Sequence, residues 1–324
     1  MSRSERVVIT GGAGFLGTHL AMRLVDENQV KIIDLDTASN SLNYTSLPTH
    51  PNIELIQGDV CDAEFVRREL ANCDVVVHLA ALLGVQKVVD NALRTMDVIV
   101  KGTRNVLESS CQNGPIRRLI NVSTSEIYGN TSTQGDHAAA SISAANDPRM
   151  SYAAAKLLGE HLSWSYHRDV GLNVVNIRPF NAFGPMRKTK NAVSVFIVRA
   201  LAGEDLVIHG NGGQLRSWCY IDDFTDGLIA CLEQDAAVGQ DFNIGNALTT
   251  CTVHDLARRI IRLTGSSSKI RFVEHPFSDI SVRAPSGDKA SRLLGYKPKF
   301  DIDEGLGRTI AWHREHPEDF RHWL

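Results

Sequence analysis

Short apolar runs alternate with helical stretches along the first half of the chain, and this rhythm limits the fold more than any other feature. Runs at Arg6–Thr10, Val30–Asp34, Ile53–Gln57, Val75–Leu79, Arg118–Ser123 and Asn173–Arg178 have the length and β-branched content of strands buried on both faces. Between them lie helix-like segments at Phe15–Glu27, Phe65–Leu70, Arg94–Gln112 and Ser151–Asp169. Strand, helix, strand in repetition gives parallel neighbours joined by crossovers. The expected fold is therefore α/β, a doubly wound parallel sheet of about seven strands with helices on both faces.

After Pro179 the elements shorten, and Gly203 and the run from Gly210 to Gly213 mark turns, so a smaller mixed α/β region is expected over the sheet's carboxyl edge. The expected division is a first unit over 1–178, with a return at about 212–247, and a second over 179–211 and 248–324. Thr131–Asp147, rich in Ala, Ser and Thr, is expected to be a mobile loop.

The 324 residues, 43% of them hydrophobic, suffice for a large core. Lys and Arg number 34 against 37 Asp and Glu, a net charge of -3, which gives no reason to expect nucleic acid or a membrane surface as partner. No apolar run is long enough for a signal peptide or a membrane span, so a cytoplasmic protein is expected. The six cysteines have neither CxxC nor Cys/His ligand spacing, so neither a metal nor a disulfide framework is expected.

Gly11-Gly12-Ala13-Gly14-Phe15-Leu16-Gly17 stands between the first strand and the first helix. Bare glycines let backbone approach a pyrophosphate, and the helix start offers N–H groups and a positive dipole end to hold it. Asp34 ends the second strand, where a carboxylate accepts from ribose hydroxyls and repels a 2′-phosphate; no Lys or Arg follows through Asn40, which favours NAD over NADP. Asp59-Val60 and Leu79-Ala80-Ala81 follow the third and fourth strands at the same edge, with Asp59 placed for the adenine amino group and His78 read as structural.

Tyr152 and Lys156 are four residues apart on one helical face. An ammonium beside a phenol stabilises the phenolate, so Tyr152 can take a proton from a hydroxyl while hydride leaves the same carbon. The hydroxyl-rich strand end Ser123-Thr124-Ser125 can donate to the reacting oxygen as it gains carbonyl character.

Together the GxxGxxG loop, Asp34, His78-Leu79-Ala80-Ala81, Ser123-Thr124-Ser125-Glu126-Ile127-Tyr128-Gly129 and Tyr152-x-x-x-Lys156 resemble the extended short-chain dehydrogenases, the NAD-dependent epimerase/dehydratase family. The similarity continues through Arg178 to Pro185, Gln214 to Asp223 and Arg283 to Asp288, and so covers essentially the whole chain. It implies a Rossmann-type NAD-binding unit, a nucleotide-diphosphate sugar as substrate, Thr124 as hydroxyl partner, Tyr152 as base, Lys156 as its electrostatic aid, and Asn181, Arg216 and Arg283 on the diphosphate. It also implies a homodimer built on the helices Arg94–Gln112 and Ser151–Asp169.

The resemblance leaves the reaction open between exits from one 4-keto sugar. C4 epimerisation of a nucleotide hexose or hexuronate is the first expectation. Decarboxylation of UDP-glucuronate is the second, because Ser125-Glu126 after Thr124 looks like that subgroup. The 4,6-dehydratases that the chain resembles carry Asp-Glu where it has Ser125-Glu126, which demotes dehydration. Glu126 is a candidate for C5 deprotonation or for steering a carboxylate, and Arg187, Lys188 and Lys190 suit a diphosphate or uronate. A non-catalytic NAD-binding scaffold or sensor is the reading from another class, disfavoured by the intact Tyr152, Lys156 and Thr124.

Overall fold

The apolar runs become parallel strands: β1 (Arg6–Thr10), β2 (Gln29–Asp34), β3 (Ile53–Gln57), β4 (Val75–His78), β5 (Arg118–Val122) and β6 (Val174–Pro179), joined at the edge by β7 (Gln240–Ile244). The computed structural model describes residues 4–37, 41–112, 116–129, 135, 138–142, 145–274 and 280–324. Much of the expected mobile loop Thr131–Asp147 lies outside the described residues. In the seven-stranded sheet the order is β7-β6-β5-β4-β1-β2-β3, and every pair is parallel.

Alternation along each strand feeds two cores. In β1, Val7 and Ile9 pack with Leu20 and Leu24 of α1 (Phe15–Leu24), whereas Val8 packs with Val66 of α2 (Ala63–Glu69) and with Val106 and Leu107 of α3 (Ala92–Ser109). Helices therefore cover both faces, with α4 (Met150–Val170) against α3 on the second. The first helix stops three residues short of the expected Glu27, at a cap on Val25.

The region beyond β6 is built of short ribbons. Leu215–Arg216 pairs antiparallel with Cys251–Thr252 and parallel with Val282–Arg283, and Leu206–His209 pairs parallel with Ile270–Val273. The longer helices of this region are α5 (Ala192–Leu201), α6 (Ile221–Glu233), α7 (Val253–Thr264) and α8 (Ile302–Glu315), with α6 returning to the sheet's first face through Phe224 and Leu228.

Chain direction reverses about the junction of β1 and β4, because β2 and β3 lie to one side and β4 to β7 to the other. Loops leaving the carboxyl ends of β1 and β4 part there and open a crevice, the usual ligand position in such sheets. No helix among the described residues is long and apolar enough to cross a membrane.

Candidate active site

Both lips of that crevice are fixed by close backbone packing. Gly11 has φ 68°, and a Cβ on it would stand 2.7 Å from the Ala80 amide nitrogen, so the turn after β1 needs glycine to approach the Leu79-Ala80-Ala81 segment after β4. At Gly17 a Cβ would lie 2.4 Å from the Gly12 Cα, which seats α1 on its own loop. Gly14 differs, since only the Gly11 carbonyl oxygen, 3.3 Å away, would meet a Cβ there. Packing does not demand that glycine, whereas a ligand lying against the helix start does.

One cavity of about 1050 Å³ runs from this loop to the substrate side, lined by Gly11, Gly14, Phe15, Leu16, Gly17, Asp34, Val60, Leu79, Ala80, Ala81, Thr124, Tyr152, Lys156, Asn181 and Arg216. Asp34 accepts from the Ala13 amide at 3.1 Å, and burial raises its pKa against the lowering effect of that and neighbouring amides. Asp59 is off the wall while Gly58 and Val60 are on it; its carboxylate is held by Arg94 at 2.6 Å and the Cys61 amide at 2.9 Å. His78 bridges the hydroxyls of Thr10 and Thr103 at 2.7 and 3.1 Å, and burial with the Lys156 charge pulls it down to about 3, so it is a neutral brace.

The fold brings Thr124 and Tyr152 together from β5 and α4. Thr124 caps the 3₁₀ turn Ser125–Tyr128 by accepting from the Glu126 amide at 3.2 Å, and its hydroxyl is near enough to the Tyr152 phenol to favour the phenolate. Burial and the nearby Glu126 charge push that phenol well above its ordinary range, against the lowering effects of Thr124 and Arg283. Lys156 is buried and donates to the Val122 carbonyl at 2.6 Å; burial pulls it down to about 8 while Glu160 draws it up. The expectation couples Lys156 to the positive ring of an oxidised nicotinamide; in the protein by itself burial and the Glu126 charge hold the phenol up.

Register sets Arg283 beside Arg216 across a parallel pair. An Arg283 Nη2 lies 3.5 Å from a Glu126 carboxylate oxygen, with both side chains at most about a fifth exposed, and its buried Nε has no hydrogen-bond partner among the described residues. Ser125, Glu126 and Arg283 lie just off the cavity wall. Asn181, on the wall, has φ 36° and donates to the Ser217 carbonyl at 2.9 Å. A non-glycine residue held in that region is strained, which is common where a site fixes a side chain.

The three cations of the loop after Pro185 separate. Lys188 lies over the Tyr44 ring at 5.0 Å, off the cavity wall; Arg187, over Phe15 at 5.1 Å, and Lys190, over Trp323 at 6.0 Å, both line the cavity. Cys219 is buried away from the wall, its thiol pushed up by burial. Sequence reasoning missed Arg199, Phe196 and Trp218 on the substrate side of the wall. Only Asn191 hints at them, as the side-chain cap that starts α5 by accepting from the Ser194 amide at 2.8 Å.

The profile of the NAD dependent epimerase/dehydratase family matches residues 7–245. The chain belongs to that family. NAD is its cofactor, and the residues present fit it: a glycine loop at a helix start, and an acid at the end of β2 with no cation among 35–37 to favour a 2′-phosphate. Among family members, UDP-N-acetyl-alpha-D-glucosaminuronate decarboxylase of Bacillus cytotoxicus is 34% identical over 97% of this chain and 99% of its own. The structure of epimerase Mth375 from Methanothermobacter thermautotrophicus superposes with a TM-score of 0.90 at 32% identity, over 99% of this chain and 95% of that one. UDP-glucuronic acid 4-epimerase of Bacillus cereus, solved with UDP-glucuronic acid and NAD, gives 0.87 at 27% identity over 96% of this chain and 99% of that one. The chain also matches trifunctional UDP-glucose 4,6-dehydratase/UDP-4-keto-6-deoxy-D-glucose 3,5-epimerase/UDP-4-keto-L-rhamnose-reductase RHM2 of Arabidopsis thaliana at 31% identity, spanning 48% of that protein's length.

Proposed function

We propose that this chain decarboxylates a nucleotide-diphosphate hexuronate through a 4-keto sugar. The observation that carries the reading is the Glu126–Arg283 pair beside Tyr152. A C4 epimerase needs a hydroxyl partner, one base and room to turn the ring; a second carboxylate at the reacting end has no task there. A uronate gives it one. Tyr152, as the phenolate that Thr124 favours, takes the proton from O4. When bound, NAD supplies the hydride acceptor and later returns the hydride. The ketone stands β to the C6 carboxylate, so the C5–C6 bond breaks, CO2 leaves, and its electron pair passes to the ketone oxygen as an enolate. Arg283 and Arg216, aligned in register, hold the diphosphate, and Glu126 then faces C5. Its charge opposes the uronate carboxylate, a repulsion relieved when CO2 leaves neutral, and it is placed to relay the proton that C5 regains.

The uronates named for the Bacillus cytotoxicus and Bacillus cereus relatives support this substrate class. C4 epimerisation, the expectation from sequence alone, is the second reading, because Thr124 and Tyr152 beside bound NAD are all that oxidation and re-reduction at C4 would require. The test is incubation with NAD and UDP-glucuronate or UDP-N-acetylglucosaminuronate, following mass and NMR. Loss of CO2 is expected; a C4 epimer of unchanged mass would replace this reading with the second.

We also propose a homodimer built on α3 and α4. Leu93, Met96, Leu158 and Trp164 on α3 and α4 stay exposed although the two helices pack together. Light scattering should give twice the chain mass of 35.6 kDa at micromolar concentration, and a clean monomer would refute the dimer.

A further inference from the structure

Among the cations on the cavity wall, Arg187 is held in an unusual way. Its Nη1 donates to the Ala182 carbonyl at 3.2 Å and its Nε to the Thr189 carbonyl at 3.4 Å. No carboxylate pairs with it among the described residues, and burial alone pulls its pKa down to about 10. Two other wall arginines are compensated: Arg94 pairs with Asp59 at 2.6 Å and Arg199 approaches Glu204 at 3.8 Å. Desolvating a guanidinium with no acid beside it is costly, so its position needs a cause.

The loop that carries it is pinned rather than loose. The His19 ring meets the Pro185 carbonyl at 3.1 Å, the Ser41 hydroxyl donates to the Met186 carbonyl at 2.7 Å, and Met186 itself has φ 63°. The strained residue immediately precedes Arg187 and turns it inward. Its guanidinium carbon then lies 5.1 Å from the centroid of Phe15, the first residue of α1, whose N–H groups face the glycine loop. Two sources of positive potential, a helix start and a partly desolvated guanidinium, thus converge on one end of the cavity.

We infer that Arg187 is a positioning residue for the dinucleotide, closing over the bound NAD diphosphate as its counter-ion and tying the segment after β6 to the glycine loop. Arg187 has a planar fork that matches phosphate oxygens, and its partners within the protein are neutral, so an arriving anion displaces no ion pair. Lys188 is off the wall and turned onto the Tyr44 ring, and Lys190, although on the wall, is exposed and lies over Trp323. The inference does not depend on which reaction the sugar undergoes.

The test measures binding, not turnover. Nucleotide-stripped parent, Arg187→Met and Arg187→Lys proteins are titrated with NAD, adenosine and UDP, and thermal unfolding is followed with and without NAD. Arg187→Met should weaken NAD about tenfold or more, leave adenosine and UDP within about twofold, and shrink the NAD-induced rise in Tm. Arg187→Lys should recover part of the loss, as a point charge without the fork. The nucleotide-free Arg187→Met protein should unfold no earlier than the parent, because an uncompensated charge has gone. NAD affinity within twofold of the parent would overturn the inference, and so would a loss falling on UDP instead of NAD. If Arg187→Met does not fold, Arg187→Lys must still weaken NAD more than UDP, and failure to do so is equally fatal.

Discussion

Replacing Tyr152 with phenylalanine is expected to lower turnover by about a thousandfold while NAD binds almost as before. The magnitude follows from what the phenol faces. Burial and the Glu126 charge hold it above its ordinary range, so in the protein by itself the phenol keeps its proton at neutral pH and only its phenolate form can take the proton from O4. The direction of the pH dependence follows too. A base whose pKa is raised gains its active form only as pH rises, so the parent's kcat/KM should climb from pH about 6 upward. The climb should end near 8, because Lys156 is pulled down to about 8 and above it loses the positive charge that favours phenolate. Stopped assays across this range check both statements. A Tyr152→Phe enzyme within tenfold of the parent, or one that keeps the same rising limb, would remove Tyr152 from the role of base.

That phenol also marks how far the sequence could be read. The glycine loop, Asp34, Thr124 and the Tyr152-Lys156 spacing are legible because each works through its own strand end or helical turn, where a few consecutive residues decide geometry. Most of the apolar strands are legible for the same reason, being buried on both faces, although the edge strand β3 is only half-buried. The seventh is not: Asp241 and Asn243 interrupt Gln240–Ile244, and they are tolerated there because Asp241 reaches Arg178 at 3.2 Å and Asn243 accepts from Tyr128 at 2.8 Å. Such partners are far apart in sequence, and no local pattern announces them. The state of Tyr152 was hidden likewise, since it depends on Glu126 and Arg283 arriving from other elements. Two-residue ribbons such as Val282–Arg283 have no periodicity to read, although they set Arg216 and Arg283 in register.

Glu160→Ala is expected to lower stability by about 3 kcal/mol, the cost of stranding a buried charge. Arg178 on β6 donates to both Glu160 oxygens of α4, at 3.0 and 2.6 Å, and to the Tyr128 hydroxyl at 2.7 Å, with the ion-pair side chains 8% and 4% exposed. Burial by itself would disfavour the guanidinium charge; Glu160 reverses this and raises the pKa. Asp241 remains as a second partner at 3.2 Å, which keeps the expected loss at the lower end for a broken buried pair. The substitution reaches the site as well, because Glu160 stands one turn beyond Lys156 and holds its pKa up. In Glu160→Ala, Lys156 should titrate below 8, and the pH at which kcat/KM stops climbing should move down with it. Urea unfolding reads the first effect and the pH profile the second. Adding Arg178→Met to Glu160→Ala should restore much of the lost stability, since no unpaired charge is left inside. A double variant no more stable than Glu160→Ala would mean that the loss comes from packing around α4 and not from the pair.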